Sequence, residues 1–311
     1  MAVELPFVTL DVFTTERYRG NPLAVVTIPK DTSPYPTQDQ KQRIAREFNL
    51  SETVFVHERH PDDDDGSDPH RRHIDIFITD DELPFAGHPT IGTALYLLSV
   101  GITTLVTKAG PIGIQQPRTS FVQAAIPHNT HLHARRLSHL PPDAILPGDL
   151  SAVSQIRTAE LAAPIFSIVK GMSFALVELP SLDLLSQVTI TPAVFGADGL
   201  LDDGWKEGIV GRYYYVRLES TEQDVVKIRS RMILSLEEDP ATGSAACALS
   251  SYLSLHDGSK EDRTVTYKID QGVEMGRESN ILVEIATKDA KIDKVSLAGT
   301  ATQVMRGYVT I

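Results

Sequence analysis

Cysteine occurs once in the sequence, as Cys247. That excludes a disulfide framework and suits a reducing compartment. No run approaches the roughly 18 to 20 consecutive apolar residues that a membrane-spanning helix requires, so no membrane partner is expected. The opening residues, Met1-Ala2-Val3-Glu4-Leu5-Pro6, carry neither a basic stretch nor an apolar one and do not read as a secretory signal. The expected location is the cytoplasm. Positive charge is also in short supply: 29 Lys and Arg stand against 41 Asp and Glu, a formal net charge of −12. This balance repels phosphate backbones and argues against nucleic-acid binding. An anionic small molecule remains compatible with it, because a local site can be positive on an acidic protein.

What the sequence does contain is ordinary globular material, 311 residues of which 41% are hydrophobic. The length suits two domains, each with a full core. Short β-type runs dominate: Ala24–Ile28, Thr53–Val56, and His73–Thr79 with its period-two alternation of Ile74, Ile76 and Ile78. Others are Thr103–Thr107, Phe121–Ile126, Pro164–Leu179 with a turn at Lys170-Gly171, Thr264–Ile269, Ile281–Ile285 and Gln303–Ile311. Three helices interrupt them. Thr37 and Gln40 have capping-box spacing ahead of a helix to Phe48. Pro89–Leu98 places Ile91, Ala94, Leu95 and Leu98 on one face, and Ser244–Leu255 does so with Ala245, Ala248, Leu249 and Tyr252. Many strands, few helices and no βαβ alternation indicate an α+β fold. The Asp62–Asp65 run reads as a solvated loop, and Pro127–Asp149, rich in His, Pro and Arg, as the domain junction. His57, His60, His70 and His73 lack standard ligand spacing and read as solvated surface, so no metal site is expected.

The chain repeats itself at half-length. Glu82-Leu83-Pro84-Phe85-Ala86-Gly87-His88 leads into one strong helix and Glu238-Asp239-Pro240-Ala241-Thr242-Gly243-Ser244 into the other. Glu, Pro and Gly recur 156 residues apart, as do Tyr96/Tyr252 and Leu97/Leu253. One long repeat points to two similar domains facing each other across a cleft rather than to a solenoid. A helix start exposes unpaired N–H groups and about half a positive charge, and glycine beside it admits a ligand to the backbone. Two such starts converging on one cleft would bind a carboxylate without an excess of Lys or Arg. Either glycine alone would read as a cap; the repeated pair reads as a site. His88 and Asp239, at equivalent placements before the two helices, are candidate proton-handling or substrate-orienting groups. Glu52, in Asn49-Leu50-Ser51-Glu52-Thr53, reads from spacing alone as a loop carboxylate.

Beyond spacing, the sequence resembles the phenazine-biosynthesis (PhzF) isomerase family. The resemblance rests on Gly20-Asn21-Pro22-Leu23-Ala24-Val25, on the stretch Gln42 to Glu52, on the two repeated blocks, and on Gln271-Gly272-Val273-Glu274-Met275-Gly276-Arg277. The blocks follow family order across nearly the whole chain. The resemblance implies the diaminopimelate-epimerase fold: two α+β domains related by a pseudo-twofold, each a curled, mostly antiparallel sheet around a central helix, with the active site between them. The domains would be 1–120, completed by a final strand at about 300–311, and 121–299. It implies Glu52 as essential acid/base, His88 and Asp239 as its catalytic companions, and Ser51, Gly87, Gly243, Ser244 and Gly272 as substrate-binding positions. It further implies a homodimer that uses neither metal nor organic cofactor and acts on a small carboxylate-containing substrate.

The expected reaction is therefore an isomerisation by proton transfer, a double-bond shift on a small unsaturated amino- or hydroxy-carboxylate. The related two-thiol epimerase mechanism is excluded, since Cys247 has no partner cysteine. Three alternatives stand beside it: an epimerase with Glu52 and Asp239 as bases, a non-catalytic small-molecule-binding protein, and a hydrolase built on Ser244, His88 and Asp239. The last lacks a G-x-S-x-G elbow. The sequence departs from the family pattern in three places, of which the first two border the expected cleft and bear on the substrate: no proline soon after Thr79, a shortened stretch from Arg231 to Glu238, and the added Asp62–Asp65 run.

Overall fold

A computed structural model describes residues 3–61, 63, 68–256 and 262–311. The acidic Asp62–Asp65 run lies outside these residues except for Asp63, whose carboxylate pairs with His73 at 3.2 Å. The chain divides into two compact units, Met1–Ile126 with Leu297–Ile311, and Pro127–Ser296.

The first unit runs β1 (Glu4–Val12), β2 (Asn21–Ile28), α1 (Gln38–Phe48), β3 (Glu52–His57), β4 (Arg71–Phe77), β5 (Glu82–Leu83), α2 (Gly87–Leu97), β6 (Thr104–Thr107), β7 (Gly110–Arg118) and β8 (Phe121–Ala125). The capping box forms as the sequence requires. Thr37 Oγ1 accepts the Gln40 N–H at 3.2 Å, and Gln40 Oε1 accepts the Thr37 N–H at 2.9 Å. Such a cap contributes about 1 kcal/mol. Ile44 and Ala45 bury the inner face of α1 against Leu5, Val26, Ile28, Phe55 and Phe77. Asn49, in left-handed conformation, ends the helix and turns the chain toward β3. Helix α2 is less one-sided than its spacing suggests. Gly87 through Ala94 are buried without a break, so it is a core helix covered on most sides. Gly92 is what lets it lie close to the sheet: a Cβ there would stand 2.6 Å from Leu23 and 2.7 Å from Val12.

The second unit runs β9 (His131–Leu132), α3 (Ser154–Ala162), β10 (Ile165–Val169), β11 (Met172–Glu178), α4 (Leu182–Ser186), β12 (Phe195–Gly196), β13 (Ile209–Leu218), β14 (Val225–Leu234), β15 (Glu237–Asp239), α5 (Gly243–His256), β16 (Arg263–Gln271) and β17 (Ser279–Lys288). The chain returns to the first unit within β18 (Lys291–Gly299) and ends in β19 (Ala301–Thr310), antiparallel to β1. Residues 127–149 are not a linker between the units. They belong to the second one, where Leu137 is fully buried beside Ile156, Ile165 and Val177. Like α2, helix α5 is buried on nearly every side, from Ala245 through Ser251.

The half-length repeat extends to strand pairing. In the first unit β1/β2 is antiparallel, β2/β3 parallel, β3/β4 and β4/β5 antiparallel, β4/β6 parallel and β6/β7 antiparallel. In the second, β10/β11, β11/β13, β13/β14, β14/β15, β14/β16 and β16/β17 repeat that succession term for term. The hairpins before the two central helices differ. β4 and β5 are joined by the four residues Ile78 to Asp81, whereas β14 and β15 are joined by Ser235 and Leu236 alone. Ser235 takes a φ of 54° in that turn. The shortened stretch before Asp239 is thus a tight hairpin.

Candidate active site

In the first unit the parallel pairing of β2 with β3 sets Glu52 opposite Leu23, at the mouth of the sheet. Glu52 is the first residue of β3 rather than a loop carboxylate, and only 15% of its side chain is exposed. Its Oε2 is buried without a hydrogen-bond partner among the described residues, and the nearest cation-forming group is His88 Nδ1 at 3.5 Å. Burial raises the Glu52 carboxyl to about 7, with contact from the Ser51 hydroxyl acting in the opposite direction. Ser51 Oγ also donates to Asn21 Oδ1 at 3.2 Å, and Asn21 Nδ2 lies 3.4 Å from His88 Nδ1. Asn21 is fully buried and opens β2. It ties Ser51 to His88, a role that nothing in its spacing announces. Its one sequence signal is its place directly before Pro22 in a family block.

In the second unit Asp239 closes β15 opposite Met232. Thr242 Oγ1 donates to Asp239 Oδ2 at 2.5 Å, and the Thr242 carbonyl accepts the first helical N–H, from Ala246, at 3.0 Å. Gly243 is the first residue of α5 and Ser244, half-buried, the second; Gly87 and His88 hold the same two places in α2. The repeat therefore pairs His88 with Ser244, not with Asp239. At the 156-residue spacing Asp239 corresponds to Leu83, five residues before His88, so the equivalence of His88 and Asp239 read from the sequence is corrected. Gly272 takes a φ of +73°, and a Cβ on it would stand 2.6 Å from the Pro240 carbonyl and 2.7 Å from that of Arg277. Its glycine is required by this close backbone approach. The repeated glutamates are structural. Glu82 pairs with Lys108 at 2.6 Å, and Glu238 takes a two-point grip from Arg231 at 2.7 and 2.8 Å.

The histidines separate into two groups. His57 is not solvated surface: it is buried, bonded through Nε2 to Asp75 at 2.8 Å and through Nδ1 to Tyr35, with His60 and His73 in successive ring contact. His70 is exposed and bonds the Gly101 carbonyl. His131, His133 and Asp202 have ligand atoms within 4.8 Å of one another, the one described group with metal-ligand spacing. Each of its three residues is already bonded within the protein. His133 Nδ1 accepts the Asp202 N–H at 3.1 Å while its Nε2 bonds Ser167 Oγ at 2.8 Å, and His131 Nε2 bonds Asp202 at 2.8 Å. It fastens a loop to a strand.

Two sheets paired in one repeated order, each on a buried helix, define an α+β protein of the diaminopimelate-epimerase-like class. The chain belongs to the phenazine biosynthesis-like protein family (PhzF), which matches residues 10–307. It is 32% identical to an uncharacterized isomerase of Mesorhizobium japonicum over 98% of each chain. It is 30% identical to trans-2,3-dihydro-3-hydroxyanthranilate isomerase of Pseudomonas fluorescens, over 98% of this chain and 99% of that one. Its fold matches the PhzF-family phenazine biosynthesis protein of Bacillus anthracis with a TM-score of 0.70 at 22% identity, over 99% and 100% of the two chains. The chain is accordingly an enzyme of an isomerase family. Among the described residues, no helix is long and apolar enough to cross a membrane.

Proposed function

We propose that this protein is a cofactor-independent isomerase that shifts a double bond in a small unsaturated amino- or hydroxy-carboxylate, with Glu52 as the proton shuttle. The observation that carries the reading is Glu52 itself. Its carboxyl is covered, has an unengaged buried oxygen, stands beside a histidine, and titrates near 7. A group with those properties is present in both protonation states at neutral pH, so it can take a proton and return it. Ionised Glu52 removes a proton from an activated C–H. The electron pair left behind forms the new double bond, the old π pair moves to the far carbon, and Glu52 delivers its proton there. Substrate and product are isomers, and Glu52 ends as it began.

His88 is assigned to orienting the substrate's hydroxyl or amino group and Asp239 to the same work. Ser51, Ser244 and the backbone at Gly87 and Gly243 are assigned to its carboxylate. The relatives' named substrate, trans-2,3-dihydro-3-hydroxyanthranilate, is the first compound to try. A cytoplasmic homodimer is the working form proposed, on the family resemblance. Positioned acid/base catalysis supplies about 100- to 10,000-fold, so the substrate's own conjugation must acidify the C–H. The test is proton–deuterium exchange in D₂O, followed by NMR with that compound and a panel of unsaturated amino and hydroxy carboxylates. Exchange or isomerisation by wild type that disappears in Glu52→Gln supports the reading. Equal exchange by both proteins removes Glu52 as the base.

A further inference from the structure

We infer that Gln271 is a positioning residue that fixes the working orientation of the Asp239 carboxylate through Thr242; the inference rests on the role proposed for Asp239. Gln271 is the last residue of β16, fully buried, and all the bonding capacity of its amide is directed at two places. Its Oε1 accepts the Thr242 backbone N–H at 3.2 Å and the Tyr213 hydroxyl at 3.1 Å. Its Nε2 donates to the Asp239 carbonyl at 2.8 Å and to Thr242 Oγ1 at 3.0 Å. A backbone N–H can only donate and a carbonyl can only accept, so the amide has one permitted orientation.

That orientation propagates. Thr242 Oγ1 already accepts from Gln271, so its single proton goes to Asp239 Oδ2, 2.5 Å away. One stage further back, the Tyr213 hydroxyl donates to Gln271 and therefore accepts from Ser230 Oγ, 2.9 Å distant. The protons of Ser230, Tyr213, Gln271 and Thr242 all point one way, toward Asp239. Such chains polarise each bond along them. Burial keeps the Tyr213 hydroxyl protonated far above neutrality, so this donor does not switch off. The consequence for Asp239 is that Oδ2 is held as an acceptor. Any proton it carries or exchanges sits on Oδ1. Gly272 adds to the arrangement by pressing its backbone against Pro240, so two consecutive residues hold the 239–242 segment, one by bonds and one by contact.

The experiment needs no substrate. The intact chain is labelled with ¹³Cγ-aspartate, the Asp239 signal is assigned with Asp239→Asn, and its titration is followed by NMR in wild type, Thr242→Val and Gln271→Leu. Loss of a hydrogen bond to the charged form disfavours that form. Both single variants are therefore expected to raise the Asp239 midpoint by about one pH unit, a tenfold change in proton affinity. The double variant is expected to move it no further than the larger single one, because both cuts fall on one chain. Tyr213→Phe removes an earlier donor with little change in volume; it tests the same wiring if Gln271→Leu fails to fold, with a smaller rise expected. An Asp239 midpoint unchanged in folded Gln271→Leu and Tyr213→Phe, or additive shifts in the double variant, would overturn the inference. These readouts stand apart from the exchange assay on Glu52, so either conclusion can fall without the other.

Discussion

Glu52 and Asp75 occupy neighbouring strands of one sheet, β3 and β4, and are covered almost equally: 15% and 14% of their side chains are exposed. Burial pushes both carboxyls upward. For Glu52 burial prevails and the group rises to about 7. For Asp75 it is outweighed by hydrogen bonds and charge from His57 and Lys41, and the carboxyl falls far below the ordinary range. Lys41 is itself 5% exposed, and its ammonium sits against Asp75 in direct contact. Two equally hidden acids are thus made opposite by what stands beside them. A carboxylate gripped by a buried ammonium and an imidazole is locked in one state and serves the fold. One left with a serine hydroxyl and a histidine at 3.5 Å is poised between two states.

The contrast can be broken at either acid. The largest effect is expected from Glu52→Gln, which should lower proton-transfer activity by about 100- to 10,000-fold in the exchange assay while leaving the circular dichroism of a folded protein. Asp75→Asn should do the reverse. It leaves Lys41 buried without its counter-charge, a loss of about 3–5 kcal/mol in urea unfolding. The folded fraction should keep its Glu52 chemistry. Converting the pair together, with Lys41→Met and Asp75→Leu, should cost much less than Asp75→Asn alone, because no stranded charge remains.

The dependence on pH sharpens the same contrast. Glu52 has a folded value near 7 against an ordinary 4.5. Between those values the unfolded chain gives up its proton first, so stability declines as pH rises from about 4.5 to about 7 and is level above that. The decline amounts to about 3 kcal/mol at most, and Glu52→Gln should abolish it. Asp75 acts with opposite sign. Its stabilisation is full above about pH 4 and disappears as pH falls toward its depressed folded value. The activity of wild type, which needs ionised Glu52, should climb through pH 7 to a plateau. The smallest expected effect belongs to Ser51→Ala. The hydroxyl restrains the rise of Glu52, so its removal should carry that climb upward by less than about one pH unit.

Local features were legible in the sequence, because their causes are local. The Thr37–Gln40 capping box, the Lys170-Gly171 turn and the alternation of Ile74 and Ile76 all concern neighbours within four residues. The half-length repeat was legible because duplication leaves identical residues at a fixed spacing. What escaped is non-local. Asn21 meets His88 across 67 residues and Gln271 meets Asp239 across 32, and neither separation leaves a periodic trace. His57 looked like one of several loop histidines because Tyr35 and Asp75 reach it from two other places in the chain. Glu52 looked solvated because nothing in its own stretch reports the coverage that sets its titration. The mispairing of His88 with Asp239 arose because both simply stand ahead of a helix; at the repeat's own spacing His88 corresponds to Ser244 and Asp239 to Leu83.

Cys247 is buried one turn into α5, and that burial raises its thiol far above the range where thiolate forms. The protein therefore comes with a chemically silent background. A cysteine introduced at an open position, such as Leu236 in the tight β14–β15 hairpin at 67% exposure, would be the sole site open to a maleimide dye or spin label. Reporter attachment would then require no replacement of the native residue and no disturbance of the helix that carries it.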